Sequence, residues 1–522
     1  MKCDNHEARY LPHVILLAVA FFILFGLLNS TGSKNLAMVR IFEPDEAAVL
    51  PVIQKMVAPK GSLDDFIRGF IFYGYYYYGF PFFGLSGLIA LPFQWFEKIQ
   101  NTQLLMLALR QLISVLPTIF ALIIIVYLQD GFRTFRSVLL FLFLLMIPAV
   151  FQNSLWLHPD GLVLLLSALV LLFLVKDNRS LGKNFFISAA FCGILIATKL
   201  VGAFFFLAVG LVLIWSLAEK RVTWKKAILS AIGYLFIMAV FFVISNPFLL
   251  SEWGRIEYLN IARKQSNMLS SGYGVIYGKG IKSLWPILNN YYGEFIFLFT
   301  TVVVLILSFY DKKKNFLSAL ILAWFVPLTV YLFFFIHFKY QYWLPVALPL
   351  FSVWILVLRP KDEFTKMKPL LKAFNIIFVV ILTVQVFLFV RQNLDTAKQH
   401  FFREKSNPSI QFYENVRQVL NSELDEPLSV YFDYRLYLPD DNSWQKTTSF
   451  DLLTYDYIQD YDFDILLLQQ QRIKDYLQEG LIGVDPNEFE KSQIFYRDAD
   501  KGLVDGYVLV FRDSVGLVFQ KK

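Results

Sequence analysis

The chain has 522 residues, 57% hydrophobic and 18% aromatic, with a mean hydropathy of +0.53, which excludes a soluble protein and points to a polytopic membrane protein. A net charge of +7 would suggest nucleic acid in a soluble chain, but the Lys and Arg residues sit between apolar runs, where they report orientation, so no nucleic-acid partner is expected. Cys3 and Cys192 are too few and too far apart for a disulfide scaffold or a thiolate metal site.

In chain order, a basic and polar start, Met1 to Arg9, leads into Pro12 to Asn29, long enough to span and expected to be a retained anchor. Residues 30–103 form a first outer loop holding Ile41-Phe42-Glu43-Pro44-Asp45-Glu46-Ala47 and the cluster Tyr75 to Tyr78, expected at a headgroup boundary. Phe80 to Phe96 is apolar but broken by Pro81, Gly84, Gly87 and Pro92. If it does not cross, the connectors at Arg133/Arg136, Lys176/Arg179/Lys183, Lys220 to Lys226, Lys312 to Lys314 and Arg359 to Lys372 all share the cytoplasmic side with the N-terminus. It is therefore expected to be interfacial or re-entrant.

On that topology Val138 to Leu157 runs outward to His158-Pro159-Asp160-Gly161, with Gly161 expected to face the outer solution, and Leu162 to Val175 runs back. Phe185 to Thr198 and Val201 to Leu217 turn near Lys199, and a second outer loop occupies 246–290. Later runs place His337 to Tyr342 outside and end at Val390, for about eleven spans and a transmembrane domain over 1–390. Residues 391–522 change to a soluble pattern. Ile410 to Leu420 and Gln471 to Leu477 have helical spacing, Leu428 to Phe432 and Asp464 to Gln469 read as strands, and Tyr507 to Phe511 with Gly516 to Gln520 reads as a closing hairpin. A small extracytoplasmic α/β domain is expected.

Acids beside a membrane must be paired, hydrated or functional. Asp45 and Asp160 each follow a proline and fall on the same outer face, although more than a hundred residues separate them. Sugar transfer from a lipid phosphate needs a carboxylate to take the acceptor's proton and cations to hold the departing phosphate. Asp45 suits the first role, with Glu46 and Asp160 beside it. Lys199, Lys339 with Tyr340 and Tyr342, His158 and Arg255 are candidates for the substrate and its phosphate. The bland readings are helix caps for Asp45, Glu46, His158 and Asp160, snorkelling for Lys199, an aromatic belt around Lys339, and a solvated loop face for Arg255.

Glu43-Pro44-Asp45-Glu46, His158-Pro159-Asp160, Ala197-Thr198-Lys199 and Lys339-Tyr340-Gln341-Tyr342-Trp343-Leu344-Pro345 together resemble the GT-C class of polyprenyl-phosphate-dependent glycosyltransferases. The resemblance covers Pro12 to Leu358 in layout and is nearest the branch of protein O-mannosyltransferases and lipid A aminoarabinose transferases. It implies a catalytic carboxylate at Asp45, a second-loop acid at Asp160, an inverting reaction, and a lipid, glycan or protein acceptor. A divalent metal is left open, with Asp45 and Asp160 as the residues that could hold one. Lys339 stands where many members have Arg, and the segment before Pro81 lacks the Glu-Lys pair of some, so acceptor type does not transfer. The alternative is a lipid or glycan transporter or flippase, which would hide its polar groups at mid-membrane and often show paired halves. A non-catalytic sugar-binding scaffold would leave the acid pair unexplained.

Overall fold

The computed structural model describes residues 8–271, 281–311, 314–360, 364–420, 426–440, 442–449, 453–477 and 486–522. Residues 1–7, Lys312, Lys313 and part of the Arg359 to Lys372 connector, named above as orientation signals, lie outside the described residues.

Among those described, six helices are long and apolar enough to cross a membrane, or seven if the bent pair Leu284–Tyr292 and Phe295–Ser308 is one span. Phe80–Trp95, Arg136–Met146, Lys183–Thr198 and Leu344–Leu356 are apolar but shorter, so length alone does not return eleven. Buried aliphatic and aromatic side chains from nearly all these helices form one continuous core.

A second core belongs to the first loop. Helices Leu36–Phe42, Pro44–Val57 and Phe80–Trp95 close over the start of Thr102–Asp130 through Val49, Ile53, Phe82, Phe83, Leu105 and Leu109. Tyr73 and Tyr76 are buried in that core against Phe83 and Phe248. Of the Tyr75 to Tyr78 cluster, Tyr76 is thus packed inside the protein, because the loop is long enough to bury aromatic rings against its own helices.

The basic connectors gather at one end of the bundle. Arg179 pairs with Glu219 at 2.5 Å, Lys226 donates to the Ser180 carbonyl, and Lys314 donates to the Gln129 carbonyl at 2.6 Å. At the other end the 38-residue helix Pro369–Ser406 runs unbroken through position 390, so a boundary between 390 and 391 falls within it. Its last turns bind the first loop: Arg403 donates to the Thr31 carbonyl at 2.6 Å, and Glu404 accepts the Gly32 N–H and pairs with Lys34.

Beyond it lies a five-stranded sheet of β1 (Ser429–Phe432), β2 (Gln445–Thr447), β3 (Ile465–Gln469), β4 (Tyr507–Arg512) and β5 (Gly516–Lys521), in the order β2-β1-β3-β5-β4. β1 is parallel to β2 and β3, while β5 is antiparallel to β3 and β4. Alternate residues serve opposite faces, as a strand's period of two requires. Tyr431, Leu466 and Phe519 face helices Tyr455–Tyr461, Gln470–Tyr476 and Pro486–Lys501, while Val430, Ile465 and Val518 face Pro408–Val419. All five elements expected from spacing are present. β2 and helices Tyr455–Tyr461 and Pro486–Lys501 were not foreseen.

Candidate functional site

The site begins with a departure from regular helix. Within Thr102–Asp130, residues Arg110–Val115 form a π-helical turn, a feature often found at functional positions. Arg110 is fully buried and donates from Nε to Glu46 Oε1 at 2.8 Å and from Nη2 to Glu46 Oε2. Its Nη1 donates to the carbonyls of Asn29 and Thr31. Glu46 Oε1 also accepts the backbone N–H of Leu157. One carboxylate thus ties the end of the first helix, the first loop, the π-helical turn and the second loop together. Removing one partner of such a buried pair costs about 3–5 kcal/mol.

From the same turn, the Ser114 hydroxyl donates to the Trp156 carbonyl at 2.7 Å and accepts the His158 N–H. Gly161 is buried there, and a Cβ on it would lie 2.7 Å from the Ser114 carbonyl oxygen. The expectation that Gly161 faces solution is therefore overturned: the second loop is clamped onto the π-helical turn.

Asp160 opens helix Asp160–Asp177 and is buried. Its Oδ1 accepts Lys199 Nζ at 2.7 Å, and its Oδ2 contacts His158 Nδ1. His158 Nε2 meets the Tyr78 hydroxyl at 2.9 Å, and its ring stacks on Trp156. Burial lowers the His158 pKa, Asp160 opposes that shift and Lys199 adds to it. Burial also holds the Tyr78 phenol well above its ordinary value. A neutral imidazole donating from Nδ1 to Asp160 and accepting Tyr78 at Nε2 satisfies all three groups.

Lys199 caps helix Lys183–Thr198 in extended backbone, and its ammonium lies 4.3 Å from the centre of the Tyr342 ring. The charge of Lys339 acts on it as well, so two cations converge here. Tyr340 stacks on Tyr291, and its carbonyl accepts the Tyr292 hydroxyl. The turn is locked to the tyrosine loop: Gly79 N–H donates to the Thr198 carbonyl at 3.2 Å, and Asn246 bridges the Phe80 N–H and the Ala197 carbonyl. A Cβ at Gly79 would fall 1.5 Å from the Ala197 oxygen, so only glycine fits.

Asp45 differs from its neighbours. It is exposed, and no hydrogen bond or ion pair holds its carboxylate among the described residues. Its charge nevertheless acts on Tyr75, Tyr78, His158 and Lys199, which places it beside the Asp160 cluster. Glu43, half-buried, has its carboxyl pushed up to about 8 by burial and by Glu46, against the pull of Arg403 and Arg110. Arg255 stands apart in its bonding, with its guanidinium on the carbonyls of Leu249 and Leu250.

For a divalent metal the donor set fits poorly. Both Asp160 oxygens are engaged by Lys199 and His158, and no three His, Cys, Asp or Glu side chains are arranged to hold an ion among the described residues. Arg110, Tyr78 and Glu43 were missed as site residues by sequence reasoning. For Arg110 the signal was available: a lone guanidinium in the apolar run Leu104 to Tyr127.

No protein-family model and no curated protein sequence matches the chain. Solved structures do match. ArnT from Cupriavidus metallidurans in the apo state aligns over 97% of both chains at 13% identity, with a TM-score of 0.56. The same protein bound to undecaprenyl phosphate aligns over 97% of both chains at 12% identity and a TM-score of 0.52. The Archaeoglobus fulgidus oligosaccharyltransferase tethered to an acceptor peptide containing the NVT sequon aligns over 93% of this chain and 72% of its own, at 11% identity and 0.50. At such identities the likeness is one of fold, and the fold is GT-C, as the four short motifs suggested.

Proposed function

We propose that this is an inverting membrane glycosyltransferase that moves a sugar from a polyprenyl-phosphate donor to a hydroxyl acceptor at the extracytoplasmic face, with Asp45 as the base. The observation that carries this reading is the contrast at one place between an unbonded carboxylate, Asp45, and a buried acid, Asp160, bound to a lysine. The GT-C fold supports it, since one structure of that fold holds undecaprenyl phosphate and another an acceptor peptide.

In this scheme Asp45 takes the proton of the acceptor hydroxyl as its oxygen attacks the anomeric carbon. The bond from that carbon to the phosphate oxygen breaks on the opposite face, and the phosphate leaves with the electron pair. One displacement without a covalent enzyme intermediate inverts the configuration. Lys199 and Lys339 supply positive charge where the phosphate gathers negative charge. Asp160 keeps Lys199 aimed, and Tyr340 and Tyr342 wall the donor's path. Glu46, spent on Arg110 and Leu157, positions Asp45 and takes no proton.

The test is to incubate membranes with a panel of polyprenyl-phosphate sugars and analyse the products by mass spectrometry, for wild type and Asp45→Asn. General-base removal is expected to lower turnover by about a hundredfold to ten-thousandfold with the protein still accumulating. Normal turnover by Asp45→Asn would remove it from the base role, and transport of intact donor without transfer would replace the reading altogether.

A further inference from the structure

The seam between the first loop and the sheet domain holds a cavity that the reaction scheme does not use. Its volume is about 160 Å³, and it is lined from the loop by Leu36, Ala37 and Arg40 and from the domain by Phe432, Leu438, Asp440, Lys446 and Thr448. We infer that this cavity is a binding site for a small oxyanion, a phosphoryl or carboxylate group, carried by a soluble saccharide or by an anionic lipid headgroup.

Three observations carry the inference. The first is position: Phe432 ends β1, Thr448 follows β2, and Leu438 and Asp440 lie in the loop after β1. The cavity therefore sits at the carboxyl ends of adjacent parallel strands, where open α/β sheets bind their ligands. The second is charge. Arg40 is part-buried and lies with its guanidinium 5.2 Å from the centre of the Phe432 ring, and no protein hydrogen bond is drawn from its donors among the described residues. Lys446 points inward with its side chain 11% exposed, bonded to the Pro439 carbonyl and to Asp440, whose side chain is 91% exposed at the rim. Two cations against one solvated acid leave the cavity net positive. The third is Thr448, whose hydroxyl is buried with no hydrogen-bond partner, an unfavourable state that a ligand oxygen in the cavity would relieve.

Size narrows the occupant. A cavity of about 150 Å³ holds a benzene-sized molecule, so a phosphoryl or carboxylate group enters while a larger body stays outside. The consequence reaches the acidic loop. Asn35, which caps helix Leu36–Phe42, donates to the Tyr437 hydroxyl of the domain at 3.1 Å, and that helix runs directly into Glu43 and Asp45. An anion drawing on Arg40 thus fastens the domain to the segment that presents Asp45.

The test uses the full-length chain in detergent, titrated with inorganic phosphate, glucuronate and short-chain phosphatidylglycerol, with glucose and short-chain phosphatidylcholine as neutral controls. At least one anionic probe is expected to bind. Arg40→Gln should weaken it by about tenfold or more, as loss of a charge-assisted hydrogen bond would. Thr448→Val, which keeps the side-chain shape, should weaken it less and leave elution on gel filtration unchanged. Binding of phosphate or glucuronate alone supports a soluble source, and binding of phosphatidylglycerol alone supports a headgroup. No binding by any anionic probe at about 10 mM, about 2.7 kcal/mol of affinity at most, or equal binding by wild type and both variants, overturns the inference.

Discussion

The loop that carries Asp45 and the loop that carries Asp160 meet at one end of the bundle, yet they treat their carboxylates in opposite ways. In the second loop Asp160 is buried and engaged on both oxygens, by Lys199 and His158. In the first loop Glu46 is engaged just as fully, by Arg110 and the Leu157 N–H, while its neighbour Asp45 is left exposed and unbonded. A free acid and a clamped one are consecutive residues of the same helix. The difference teaches that acids of similar sequence context divide into those that build the site and one that remains available for chemistry, and that burial with a cation decides which is which.

That comparison breaks most directly through the two aspartates. Asp160→Asn should lose heat stability by roughly 3–5 kcal/mol, because the buried carboxylate's pairing with the part-buried Lys199 is lost, and should lose turnover as well. Asp45→Asn should lose turnover and keep its thermal midpoint. Equal midpoints for wild type and both variants would show that the two acids are not different in kind. Next in size, Arg110→Leu and Glu46→Leu alone should each destabilise by a similar amount, whereas the double variant recovers part of the loss, since an apolar pair replaces a buried ion pair without orphaning a charge. Additive losses would mean that the pair does not act as a unit.

A smaller effect sharpens the account of how the loops are joined. Gly161→Ala places a methyl against the Ser114 carbonyl and should cost about 1–3 kcal/mol, read as a lower midpoint of thermal unfolding. Wild-type stability in that variant would mean that the π-helical turn and the second loop are not in close contact.

The smallest effect concerns Glu43. Its folded pKa of about 8 lies above the ordinary carboxylate value of 4.5, so the stability linked to its proton is complete below about pH 4.5 and is lost as pH rises through about 8. The thermal midpoint should therefore fall between about pH 5 and pH 8 in wild type, level off above that, and fall less in Glu43→Gln. Identical pH profiles would remove the buried carboxyl from this account.

Local pattern made much of the fold legible. The apolar runs, the strands near Ser429–Phe432 and Ile465–Gln469, and the closing hairpin follow from periodicity that each segment carries within itself. The three-residue β2 has too little sequence to show a period. Helix Tyr455–Tyr461 offered only its cap, Thr454, whose hydroxyl accepts the Tyr457 N–H. For Tyr75 to Tyr78 composition reports that rings prefer an interface, and says nothing of a loop long enough to bury Tyr76 in its own core beside Tyr73.

By itself the sequence determined the class of protein, the sheet domain that closes it and the residue types able to move a proton or meet a phosphate, because hydropathy, period and chemical type are local properties. Tertiary structure alone decided that Arg110 meets Glu46 across 64 positions and that Leu157 meets it across 111. It also decided that Lys199 belongs to Asp160 and that Arg40 and Thr448 line one cavity. Those outcomes turn on distances between atoms far apart in the chain, where an electrostatic interaction of several kcal/mol appears or vanishes within a few ångströms and under the control of burial.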